Sequence, residues 1–241
     1  DPEGARAAAF AGARLTAADL HDAGITVNCT PVLDVPEAGS HDIIGDRAFS
    51  FDPDVVGDLG RAVVEGTLAG GVLPVIKHVP GHGRARADSH LALPRIDASA
   101  EELIEVDFRP FMALCHAPLA MTAHVLLPAF DEKRPASVSP VIMGEVIREL
   151  IGLTGLVMSD DIGMKALGGT MSDRAAAVID AGCDVIACHV DSPKVVIQTA
   201  EGRGVKTCGH NASQAPLAPK GFVTGAEYKW ETIYKQYADD I

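Results

Sequence analysis

The sequence predicts an α/β fold, a parallel sheet wound as a (β/α) barrel, with an open doubly wound sheet as the alternative. Three observations carry the prediction. Strand-like and helix-like segments alternate from residue 3 to residue 210, the mark of successive βα units. The strand-like runs, VLPVIKHV (72–79) among them, are apolar without a period of two, as expected of strands buried on both faces. Ionisable residues gather where those runs end: Asp34 after TPVL, Lys77-His78 after LPVI, His124 after AMTA and Asp160-Asp161 after LVMS. Parallel α/β folds place function at the C-terminal ends of their strands, so these four ends read as a catalytic rim.

Each element has its own signal. EGARAAAFAGARLTAADLHDA (3–23) is Ala-rich with helical apolar spacing and stops at Gly24. ITVNCTPVLDV (25–35) is rich in β-formers and leads into a polar loop. PDVVGDLGRAVVEGTLAGG (53–71) reads as a helix before the strand 72–79. SAEELIEVDFRPFMAL (99–114) opens with Ser and two acids, a helix start. Further strands are expected over 118–127, 155–161, 183–190 and 205–210, with helices over 139–150, 171–182 and 193–204. KGFVT (220–224) reads as one more strand. Tyr228, Trp230, Tyr234 and Tyr237 fall at spacings that put several on one helix face, which reads as a docking helix.

The bulk properties exclude some functions. Of 241 residues, 47% are hydrophobic, enough for a core. The net charge of −13 argues against nucleic acid or an anionic membrane as partner, since both demand clustered cations. No apolar run reaches the ~18 residues of a membrane span, and no signal segment is visible at the DPEGARAAAF start. Five cysteines without a CxxC pair read as buried free thiols of a reducing, cytoplasmic compartment.

The chemistry concentrates in KHVPGHGRARADSHLALP (77–94), with three histidines, two arginines, a lysine and an aspartate. His78, His82 and His90 invite a metal reading, but Pro80, Gly81 and Gly83 break the helix that a His-x-x-x-His site needs. No metal and no cofactor is therefore expected. Asp88-Ser89-His90 supports acid–base work instead. In an extended segment residues two apart project to one side, so Asp88 can hold the His90 ring in one tautomer, as a carboxylate does for a catalytic His. Asp160, at a strand end, supplies a carboxylate opposite such a donor, the pairing that retaining glycoside hydrolysis uses. Asp161 reads as a helix cap. Arg47, Lys77 and His78 would then hold sugar hydroxyls.

Six stretches, PVLDVP, IIGDRAF, KHVPGHGRARADSHLALP, AMTAHVLLPAFD, RPASVSP and GLVMSDDIGMKAL, together resemble the N-terminal barrel domain of family 3 glycoside hydrolases, of the bacterial β-N-acetylglucosaminidase (β-hexosaminidase) type. The resemblance runs over about residues 3–186. It implies a TIM-barrel-like fold and a retaining hydrolase that removes terminal β-N-acetylglucosamine from peptidoglycan-derived saccharides. It further implies Asp160 as the nucleophile, His90 as acid and then base, Asp88 as its orienting carboxylate, and Arg47, Lys77 and His78 as sugar ligands. The loop 81–90 would close over the sugar.

Two departures accompany the resemblance. The family opens with two further strands, and an Asp-x-Glu-Gly-Gly motif on the second. Here only 33 positions separate Asp1 from Asp34, so those strands are expected to be missing and activity impaired. The tail, about 187–241, resembles instead the basic-membrane-protein type of substrate-binding lipoprotein. It predicts a division into a barrel segment (1–186) and an α/β tail (187–241) packed on the same domain. A non-catalytic sugar-binding or scaffold protein therefore stays open as the other reading. The oligomeric state is not legible.

Overall fold

The computed structural model describes residues 1–188, 193–209, 213–225 and 235. Seven parallel strands form one sheet: β1 (Val27–Asn28), β2 (Leu73–Val79), β3 (Leu119–Thr122), β4 (Leu156–Met158), β5 (Val185–Ala187), β6 (Lys206–Gly209) and β7 (Phe222–Gly225). Their order in space is their order in the chain. That is singly wound, barrel-type topology, because a doubly wound sheet reverses its order at a switch point. The sheet curls as a half-barrel, with β1 and β7 as its edges among the described residues.

Burial on both faces explains the missing period of two. Val75 and Ile76 are neighbours in β2, point to opposite sides, and are both fully buried. On the concave side Val75, Leu119, Met121, Met158 and Val185 form one apolar layer. On the convex side Leu33, Ile76, Phe108, Phe111, Val157 and Ile186 belong to the larger core beneath the helices.

The helices begin where the sequence predicts. α1 (Pro2–Asp22) carries Pro at its start, where the missing N–H costs nothing. In α2 (Pro53–Ala69), Asp52 accepts from the Asp54 N–H at 2.9 Å. α1 and α2 approach closely, since a Cβ on Gly66 would lie 2.4 Å from the Phe10 carbonyl oxygen. Ser99 forms a capping box with Glu102 at the head of α3 (Ala100–Glu102). The predicted helix 99–114 is not uniform, for α3 passes through a π-helical stretch (Leu103–Asp107) into α4 (Arg109–Ala113). The predicted helix 139–150 is likewise mostly π-helical (Ile142–Leu150). α5 (Met171–Ala181) has a second capping box, Thr170 with Asp173, and α6 (Lys194–Gly202) follows β5.

Two expectations need adjusting. The strands are shorter than read, because polar strand-end segments leave the ladder early: β3 stops at Thr122 and β4 at Met158. The cysteines are not uniformly buried: Cys183 and Cys188 are buried, Cys115 and Cys208 are half-buried, and Cys29 is exposed. Burial pushes the Cys183 thiol up to about 12, which makes it unreactive. The expected strand over 220–224 is β7, whereas Tyr228, Trp230, Tyr234 and Tyr237 lie outside the described residues. No helix among the described residues is long and apolar enough to cross a membrane.

Candidate active site

The site grows from the end of β2. Beyond Ile76 the ladder shifts register between Lys77 and Val79, and the polar residues of KHVPGHG begin there. His78 is nearly buried, and its Nδ1 lies 2.6 Å from Asp34 Oδ2. Asp34 itself is fully buried. Its other oxygen accepts from the His82 N–H at 2.7 Å and, more weakly, from the His78 N–H at 3.4 Å. Burial alone would raise the Asp34 pKa, but the two histidines outweigh it and hold the carboxyl below its ordinary range.

His82 contributes differently. Burial holds it below the ordinary His value, against the pull of the Asp34 carboxylate, so the ring is neutral near pH 7. Neither ring nitrogen has a hydrogen-bond partner. The segment after it is clamped by Arg84, which donates from Nε to Asp107 (2.7 Å) and from Nη1 to Glu37 (2.8 Å). Gly83 sits against the backbone of Val35, where a Cβ would come within 2.1 Å of the carbonyl oxygen. The base of the loop is thereby tied down on two sides, and its tip stands out, with Leu91 67% exposed.

On that tip His90 Nδ1 and Asp88 Oδ1 are 2.8 Å apart, and the His90 N–H donates to the same oxygen at 2.8 Å. The two N–H groups of His90, backbone first, hold Asp88 below the usual carboxylate range. The predicted pair is therefore present, but its geometry differs from the expectation. The segment is a turn rather than extended chain: Asp88 O also accepts from the Leu91 and Ala92 N–H groups. The aspartate's preference for bonding the backbone two residues on brings its carboxylate to the imidazole. With Nδ1–H given to Asp88, only Nε2 is left to carry a transferable proton.

The remaining polar lining comes from the end of β4 and the loop after β1. Asp160 follows β4, and its Oδ1 accepts from the Asp161 N–H at 2.8 Å. Asp161 caps no helix; its Oδ1 accepts from the Gly163 N–H at 3.0 Å in a turn. Arg47 ends a short 3-10 turn (Gly45–Arg47), and its Nη2 donates to the Ile43 carbonyl oxygen. Arg47, Lys77, His78, His90 and Asp160 all line one cavity of about 190 Å³, together with the apolar Ile43, Ile44 and Met164. Asp88 stands behind His90. The structure thus brings all six expected residues to one place.

His124, the remaining strand-end group, is structural. Its Nε2–H donates to the Asp161 carbonyl oxygen (3.0 Å), so Nδ1 accepts from the Ser137 hydroxyl (2.6 Å). Burial lowers its pKa despite the nearby Asp160 carboxylate, which keeps the ring neutral. Asp34 was read only as one of four rim groups and His82 only as a rejected metal ligand, and the Arg84–Asp107 clamp had no role in the sequence reading. The visible signal for Asp34 was its strand-end position, but only the fold shows what it holds. A larger hollow of about 650 Å³, lined by Asp54, Asp58, Arg61 and Arg109, lies between α2 and α4, on the outer face and away from the strand ends. Asp54 pairs there with Arg109 and Asp58 with Arg6 of α1, while Arg61 donates to the Ala113 carbonyl oxygen.

Comparison with known proteins identifies the family. The model of the glycosyl hydrolase family 3 N terminal domain matches residues 5–207. A beta-hexosaminidase of Idiomarina loihiensis is 38% identical over 175 residues, 71% of this chain and 52% of that one. A beta-hexosaminidase of Neisseria gonorrhoeae is 34% identical, covering 92% of this chain and 66% of its own. Among solved structures, native NagZ from Neisseria gonorrhoeae aligns over 90% of this chain and 61% of its own, at TM-score 0.74 and 33% identity. A family 3 beta-N-acetylglucosaminidase from Paenibacillus aligns over 90% of this chain and 41% of its own, at TM-score 0.78 and 29% identity. The chain spans between half and two thirds of the length of these curated relatives. A β2 end, a clamped loop and a strand-end carboxylate meeting in one cavity, on a singly wound sheet that the family model matches over most of its length, make this chain a member of glycosyl hydrolase family 3, through its N-terminal domain.

Proposed function

We propose that the chain is the catalytic barrel segment of a retaining β-N-acetylhexosaminidase that releases terminal N-acetylglucosamine. One observation carries the reading: Asp160 and His90 line the same cavity, and Asp88 holds the far nitrogen of the His90 ring. In the first step an Asp160 oxygen attacks the anomeric carbon, while His90 Nε2–H protonates the departing glycosidic oxygen. In the second, His90 takes a proton from water, and the hydroxide displaces Asp160 from the sugar. The Nδ1–H bond to Asp88 persists through both steps and stabilises the charged ring. Arg47, Lys77 and His78 bind ring hydroxyls. Peptidoglycan-derived saccharides as substrate and a cytoplasmic site of action complete the proposal, as does the division of the chain at 186/187. The beta-hexosaminidases and NagZ structures among the relatives support its coarser part, a glycoside hydrolase acting on β-N-acetylglucosamine.

The test is chromophore release from an aryl β-N-acetylglucosaminide, with Asp160→Ala and His90→Ala alongside. Turnover by the parent should fall by about 10²–10⁴ in His90→Ala and at least as far in Asp160→Ala. Equal rates in Asp160→Ala and parent would remove the nucleophile assignment. A folded parent that binds the sugar without turnover would make the chain a binding protein instead.

A further inference from the structure

We infer that Asp34 is a positioning residue of this site, its buried carboxylate fixing the ring of His78 in one tautomer and one orientation. The inference rests on the proposed function for its consequence in turnover, but not for its geometry. Asp34 follows Leu33, whose N–H donates to the Lys77 carbonyl oxygen at 2.6 Å, so the carboxylate is carried on backbone tied directly to the end of β2. A carboxylate out of water is stable only when its oxygens are hydrogen-bonded. Here Oδ2 meets His78 Nδ1 at 2.6 Å and Oδ1 accepts from the His82 N–H at 2.7 Å.

These contacts have a chemical consequence. A carboxylate can only accept, so Nδ1 must be the protonated nitrogen of His78. For the neutral ring, Nε2 is then a bare acceptor, and His78 is one of the residues lining the cavity with Asp160. It can accept from a sugar hydroxyl but cannot donate to one. The second oxygen extends the same hold to the start of the loop that bears His90, through the His82 backbone. Both oxygens thus face N–H donors. An amide would reverse the selection: with its oxygen on the His82 N–H, an Asn at 34 would turn its NH₂ to Nδ1, which accepts only when the ring carries its proton on Nε2.

The experiment uses the full chain. Imidazole ¹⁵N spectra at pH 8, without substrate, report which nitrogen of His78 carries the proton; the His78 signals are those lost in His78→Gln. The parent should show Nδ1–H, and Asp34→Asn a shift toward Nε2–H. Identical His78 signals in both would overturn the inference. If Asp34→Asn does not fold, the parent spectrum decides alone, since an Nε2–H tautomer contradicts the contact with Asp34. In kinetics, Asp34→Asn should raise KM for the aryl glycoside by about tenfold or more, the scale of a lost hydrogen bond to a charged group, with kcat changing less. Asp34→Asn/His78→Ala should raise KM no further than His78→Ala alone, whereas additive losses would show that Asp34 does not act through His78. If the parent has no turnover, the proposed function fails while the ring spectra still decide the role of Asp34.

Discussion

Asp107 offers a measurement of how burial and ion pairing compete beside the site. Its carboxyl is 1% exposed and meets Arg84 Nε at 2.7 Å, yet its Oδ1 has no hydrogen-bond partner. Burial outweighs the pull of Arg84 and pushes its pKa from 3.8 to about 6. A carboxyl raised in this way binds more protons folded than unfolded between pH 3.8 and about 6. Its contribution to stability is therefore complete below pH 3.8 and is lost as pH rises through 6. At about 1.36 kcal/mol per pH unit, ionising it in the folded state costs about 3 kcal/mol above that window. Asp107→Asn removes the titration while keeping an oxygen for Arg84, which retains Glu37 as well. Urea unfolding of parent and variant at pH 5 and pH 7.5 isolates the effect. The parent should lose roughly 1–2 kcal/mol relative to the variant between those two values. A difference that is the same at both would refute the raised pKa. A parent that instead gains on the variant would mean that Arg84 overcomes burial.

Two further changes test the frame around the site. Gly83→Ala would drive a Cβ to 2.1 Å from the Val35 carbonyl oxygen, backbone that cannot swing aside, so it should lower stability by about 1–3 kcal/mol and depress turnover. An unchanged melting temperature would mean that the loop base is not packed as described. Phe111→Ala, at a fully buried position of the convex core, should cost about 3–5 kcal/mol in urea unfolding, and a loss below about 1 kcal/mol would show that this layer is loosely packed.

Much of this was legible because its causes are local. Ser99 and Thr170 announce helix starts through side chains that cap their own backbones, and Asp88 meets His90 through a turn only two residues long. The fully apolar strands forecast a sheet covered on both faces, since Val75 and Ile76 each need a core. What escaped is non-local. Asp34 looked like one more rim carboxylate, and only the pairing of β1 with β2 sets it beneath His78. The Arg84–Asp107 clamp joins a loop to a π-helical turn 23 positions away, and no periodicity encodes that meeting. The π-helical runs also escaped, because their side-chain pattern is that of an ordinary helix.

The tie between Asp34, His78 and His82, set opposite Asp160, bears on how the molecule folds. The cavity draws on the ends of β1, β2 and β4, so no short stretch of chain contains it, and an unfolded or partly folded chain has nothing for a sugar to hold. Ligand binding and folding are therefore linked: a sugar that occupies the site at a hundred times its dissociation constant should add about 2.7 kcal/mol to the stability of the whole sheet. A simple melting curve with and without N-acetylglucosamine thus reports on the assembly of strands far from the ligand, and slow local openings of β1 should be suppressed by a molecule bound at its far end.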